Sequence, residues 1–132
     1  MSAEHTYDYA VVRVVPRVER GEQINVGVIV SCPALEFLDA RIEIEPARLL
    51  ALDPSVDLDH VRASLALIPA ICRGESGAGA IAAMPQRSRF HWLVAPRSTV
   101  IQVSPVHTGR TADPAGALDR LVQTMVRVAT RE

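Results

Sequence analysis

Between Phe90 and Pro114 the chain reads FHWLVAPRSTVIQVSPVHTGRTADP, and the side chains able to do chemistry are concentrated there. Arg97, Ser98, Thr99, Gln102, Ser104, His107, Thr108, Arg110 and Thr111 precede the helix-start pair Asp113-Pro114. Guanidinium, hydroxyl and amide groups beside the free N–H groups of a helix start are what hold a carboxylate or phosphate. The stretch is therefore expected to bind an anionic small ligand or a phosphorylated peptide. A local reading competes with this, because Ser, Thr and Pro crowd into turns where their side chains bond nearby backbone.

A catalytic reading uses the same residues. His107 would be the general base of a small hydrolase or transferase, with Ser98 or Ser104 nearby. Ser98, His107 and Asp113 make a triad by residue type, yet no G-x-S-x-G elbow surrounds any serine and Asp113 already has a helix to cap. No metal site is expected: His91 and His107 lack a neighbouring ligand at i+2 to i+4, and His5 and His60 lie elsewhere in the chain. No cofactor motif is present.

A second polar pair lies far upstream. Arg13 interrupts YAVVRVV, and a charge inside such a run must snorkel, pair or face a ligand. If Val14 pairs with Ile24 in a hairpin, Arg13 faces Asn25, and Val11 faces the side-chain-free Gly27. A ligand site and a satisfied Arg–Asn pair are both compatible with that register.

The elements that must carry these residues follow from periodicity. Tyr7–Val15 and Gln23–Cys32 are β-branched, nearly continuous apolar runs joined by a polar connection, which predicts a hairpin of central strands. From Glu36 to Glu45, Leu38, Ala40, Ile42 and Ile44 alternate with charged residues, as in a half-wet edge strand. Pro46 opens a short helix ended by Asp53-Pro54. A longer helix from about Asp57 carries Leu58, Val61, Leu65 and Ile68 on one stripe, and Pro69 is expected to end or kink it. Arg73–Gly79 is expected to be a mobile loop; its glycines suggest a phosphate cradle only weakly, since the loop lacks a lysine and follows a helix.

Two more strands are expected near Phe90–Val94 and Thr99–Val103, each broken by a proline. In the first, Trp92 would share a core-facing side with Phe90 and Val94. Asp113-Pro114 starts a last helix presenting Leu118, Leu121, Val122, Met125 and Val128 on one face, with Arg127 and Arg131 near its C-terminus.

Composition bounds the partners. All fourteen Lys and Arg residues are arginine, which removes lysine Schiff-base and phosphate-loop chemistry. A net charge of −1 supplies no field for nucleic acid. Cys32 and Cys72 each border an apolar run, as small buried hydrophobes do, which implies a reducing cytoplasm. The first residues lack a signal-peptide pattern, and no apolar run approaches the roughly 18 residues needed to span a bilayer.

Three blocks, YAVVRVVPRVERGEQINVGVIV from Tyr9, FHWLVAPRSTVIQVSPVHTG from Phe90 and DPAGALDRL from Asp113, resemble the bacterial domain-of-unknown-function family numbered 3037. The resemblance spans nearly the whole chain and names no activity. It implies as partner a kinase resembling the HipA toxin, although no glycine-rich loop after a strand, lysine or H-R-D-like triplet makes this chain a kinase itself. An aromatic residue often follows Arg-Gly-Glu in that family; Gln23 stands there in this chain, so an aromatic role at the hairpin tip does not carry over.

These readings converge on one α+β domain over residues 1–132, with an antiparallel sheet of four to five strands covered by helices near 57–68 and 114–130. The two-sided apolar hairpin wants more cover than two helices supply, so a homodimer is expected. The leading functional expectation is a cytoplasmic accessory or regulatory protein that binds a partner or an anionic small ligand through Arg13, Asn25 and residues 97–111.

Overall fold

The computed structural model of the chain describes residues 3–128. Strand β1 (His5–Val14) sits at the centre of a five-stranded antiparallel sheet. On one side it pairs with β2 (Ile24–Cys32), which in turn pairs with the edge strand β3 (Phe37–Ile42). Its other side is shared by two short strands: β4 (Ile101–Val103) lies against Val12–Val14 and β5 (His107–Thr111) against His5–Tyr9. The architecture is α+β.

The hairpin forms with Arg13 opposite Asn25 and Val14 opposite Ile24, as the sequence implies. A bulge between Val12 and Arg13 then shifts the ladder, so that Val12 and not Val11 faces Gly27. Alternation alone gives no sign of the one inserted residue. Gly27 is required for a different reason than open space beside a ligand. A Cβ there would lie 2.5 Å from Ile42 Cδ1 and 2.6 Å from the Arg41 carbonyl oxygen, so the glycine lets β3 approach β2 closely.

Helices cover both faces. On one lie α1 (Pro46–Leu52), α2 (Leu58–Arg73) and α3 (Gln86–Leu93), enclosing Val12, Val14, Ile29, Leu49, Leu65 and Phe90. On the other, α4 (Pro114–Met125) sets Leu118 and Val122 onto Val28 and Val30. Asp113 caps α4 as expected, its side chain accepting from Gly116 N, and Asp57 caps α2 in the same way, accepting from His60 N. Arg131 lies outside the described residues.

The structure departs from the sequence pattern at three places. Phe90–Val94 is not a strand; Pro85 precedes helix α3, whose Phe90 and Leu93, three apart, are buried while Trp92 is 42% exposed and outside the core. A short, largely apolar run such as Phe90–Ala95, broken only by His91, fits either period, and here tertiary burial selects the helical one. Pro69 does not end α2, which continues to Arg73 and closes at Gly74 in the left-handed conformation. Burial of Ile71 and Cys72 in that last turn offsets the roughly 3 kcal/mol that an interior proline costs. Finally, His107–Thr111 is a strand with mainly exposed residues, whereas its polar composition reads as loop.

Candidate functional site

Between α2, the end of α3 and β4 the protein has a cavity of about 360 Å³. One stripe of α2 forms a wall, with His60, Ser64, Leu67, Ile68 and Ile71 at helical spacing. The opposite wall is Val100 to Val103, and Trp92, Leu93 and Arg97 close the end. The surfaces are mostly aliphatic; among the described residues no aspartate or glutamate lines them, and Arg97 is the one permanently charged side chain that does.

Arg97 reaches this place for a local reason. The last carbonyls of a helix have no partner within it. Arg97 folds back across Ala95-Pro96 and satisfies two of them, Nη1 donating to the Leu93 carbonyl (3.2 Å) and Nη2 to the Trp92 carbonyl (2.8 Å). Its guanidinium then sits 4.4 Å from the centre of the Trp92 ring, a cation–π stack at the cavity rim. A guanidinium carries five N–H groups, so three remain for another acceptor. The following turn fastens itself: Thr99 Oγ1 donates to the Ile101 carbonyl (2.8 Å) and Gln102 Nε2 to the Thr99 carbonyl (2.9 Å).

Of the residues singled out in the sequence, Arg97, Thr99 and Gln102 line this cavity. The others are elsewhere. Ser98 is exposed and does not line it. Ser104 is 3% exposed inside the sheet, where its Oγ accepts from Val11 N (2.9 Å) and donates to the Pro105 carbonyl (2.9 Å). It stands at the junction between β4 and β5, where the hydroxyl supplies the acceptor that the Val11 N–H needs. His107 and Thr108 are exposed on β5, His107 beside Tyr9 with ring centres 5.4 Å apart. Arg13 Nε donates to Asn25 Oδ1 (3.2 Å), and Asn25 Nδ2 donates to the Met125 carbonyl (3.0 Å), so this pair anchors the end of α4. Arg110 leans on Glu4 and Thr6, and Thr111 Oγ1 bonds the backbone of Asp113 at the start of α4. One shared hollow is therefore not formed.

The catalytic grouping is not assembled either. Among the described residues no hydrogen bond links His107 to a serine, aspartate or glutamate, and Asp113 Oδ1 is taken up by its cap to Gly116 N at 3.1 Å. Among them there is also no group of three His, Cys, Asp or Glu side chains placed to hold a metal ion. Burial, with Asp39 adding to it, pushes the Cys72 thiol up to about 12, so it is protonated near neutrality and is no nucleophile. Cys32 is buried as well, and both cysteines are free.

A family model described as a protein of unknown function (DUF3037) matches residues 9–126. The chain belongs to the DUF3037 family. No curated protein and no solved structure matches this DUF3037 protein. No helix among its described residues is long and apolar enough to cross a membrane.

Periodicity does not find the cavity. His60 and Ser64 are polar residues one turn apart, flanking the apolar stripe of α2, and this spacing is the one signal that the stripe faces a polar-rimmed space. Trp92 carries no comparable signal, because its role depends on α3 being a helix.

Proposed function

We propose that this DUF3037 protein is a non-enzymatic binding protein whose cavity between α2, α3 and β4 takes an anionic small molecule, Arg97 meeting the charge. The observation that carries this reading is the Arg97 guanidinium held on Trp92 at the mouth of a cavity of about 360 Å³, with no carboxylate among the described residues that line it. Sites of that size, apolar with a few placed polar groups, suit small ligands. Because Arg97 is already fixed by two carbonyls, little side-chain entropy is lost on binding. The test is thermal unfolding in the presence of small carboxylates and phosphate esters. A saturable rise in Tm that Arg97→Ala abolishes is expected by mass action. No rise with any of them, in a protein that unfolds cooperatively, would sink the reading.

A second reading, an accessory or regulatory role beside a partner protein, draws on exposed Val106 next to His107 and on exposed Met125 and Val128 at the end of α4. A HipA-like kinase is the partner implied by the family resemblance, and a cytoplasmic setting agrees with two buried free cysteines. Co-purification with such a kinase, lost in Val106→Glu, is the expected outcome. Sedimentation of the protein alone tests whether a second copy of this chain covers those residues instead.

A further inference from the structure

We infer that the ligand of the Arg97 cavity is a monocarboxylate with an apolar tail, of the medium-chain fatty acid class. The inference rests on the small-ligand reading above and narrows it by charge, shape and size. Charge comes first: Arg97 supplies one permanent positive charge, and among the described residues neither a second arginine nor an acidic residue lines the cavity. A carboxylate is balanced by that single guanidinium and can take two of its three spare N–H groups. A phosphate ester carries more than one negative charge near neutrality, and the excess would face aliphatic walls without a partner. A cationic ligand would meet Arg97 with no counter-charge.

Shape comes from the walls. Beside the polar His60, Ser64, Thr99 and Gln102, the ligand meets Leu67, Ile68, Ile71, Leu93, Ile101 and Val103, which offer hydrocarbon contact and no hydrogen-bonding side chain. A sugar or nucleotide body would leave its hydroxyls unpaired there, whereas an alkyl chain would not. As to size, a volume of about 360 Å³ at roughly 30 Å³ per small non-hydrogen group holds on the order of a dozen such groups. That is the size of a saturated acid of about ten carbons.

The sole tryptophan of the chain lines this cavity, so its fluorescence reports occupancy directly. Decanoate, decanol, decyl phosphate and decylamine are titrated against the intact protein while Trp92 emission is followed. Decanoate is expected to give a saturable spectral shift, with decanol and decyl phosphate roughly tenfold or more weaker, decylamine weaker still, and Arg97→Gln abolishing the preference for decanoate over decanol. Equal affinity for decanoate and decanol, or tighter binding of decyl phosphate, would overturn the monocarboxylate inference while leaving a small-ligand cavity in place. If none of the four perturbs Trp92 and Ile71→Trp, which fills the space, leaves the protein folded, decanoate-type ligands are excluded. The broader anion reading then stands or falls on its own thermal test.

Discussion

Arg97 and Trp92 hold each other in place: the guanidinium lies 4.4 Å from the ring centre and donates at 2.8 Å to the carbonyl of the same tryptophan. Each contact alone is weak. Together they fix an exposed indole at the mouth of the cavity and close the C-terminus of α3 with a side chain in place of water.

Replacing Arg97 by alanine removes the stack and both carbonyl bonds, and is expected to cost about 1–2 kcal/mol. Lysine keeps the charge without the planar fork and should recover only part of that loss. Urea unfolding reads the stability, and a red shift of Trp92 emission reads the freed indole. A variant with unchanged emission and midpoint would mean that the stack is not populated in solution.

Helix and strand readings of Phe90–Leu93 predict different mutants. In the helix Phe90 is 1% exposed and Trp92 is 42% exposed, so Phe90→Ala should cost about 3–5 kcal/mol and Trp92→Ala under about 1.5 kcal/mol. A strand would put both on one face and make the two losses comparable. Denaturant midpoints of the two variants decide it.

Ser104→Ala tests the junction between β4 and β5. It leaves the Val11 N–H buried without its acceptor, an expected loss of about 1–3 kcal/mol. Ser98→Ala, at an exposed position, should change stability by less than about 0.5 kcal/mol. Amide hydrogen exchange at Val11 should accelerate in Ser104→Ala alone, and equal behaviour of the two variants would contradict the placement of Ser104.

Arg127 clamps Glu43 with two bonds, Nε to Oε2 at 2.8 Å and Nη2 to Oε1 at 2.6 Å, and so ties the chain after α4 to the end of β3. The Arg127 hydrogen bonds hold the Glu43 carboxyl below its ordinary value of 4.5. A carboxyl depressed in the folded state contributes its stabilisation above the unfolded value and loses it as pH falls through the folded one. Wild type should therefore exceed Glu43→Gln by about 0.2–1 kcal/mol at neutral pH, the pair being half-exposed, and the gap should close below pH 4.5. A gap that does not change at all as the pH falls below 4.5 would show the difference to be packing rather than charge.

Residue pattern alone accounts for much of this molecule. Two nearly continuous β-branched runs read as covered strands, the strict alternation of Leu38 and Ala40 with Asp39 and Arg41 reads as an edge, and Asp113-Pro114 reads as a helix start. Each rests on interactions local in the chain, where period and capping chemistry act over a few residues. The Arg13–Asn25 pairing was legible for the same reason, being set by a short hairpin.

What only the tertiary structure decided is where the polar groups of residues 97–111 go. Their types suit either an anion or nearby backbone, since the same hydroxyl serves either purpose. Which one it serves depends on partners far away in sequence, as Ser104 shows by bonding Val11 across 93 positions. The cavity is likewise a property of α2 meeting β4: the α2 wall from His60 to Ile71 keeps helical spacing, but nothing in the sequence pairs that stripe with Val100–Val103. Local sequence specifies elements because their hydrogen bonds and faces repeat at short range; a site is built from contacts between elements, and those exist only once the core has closed.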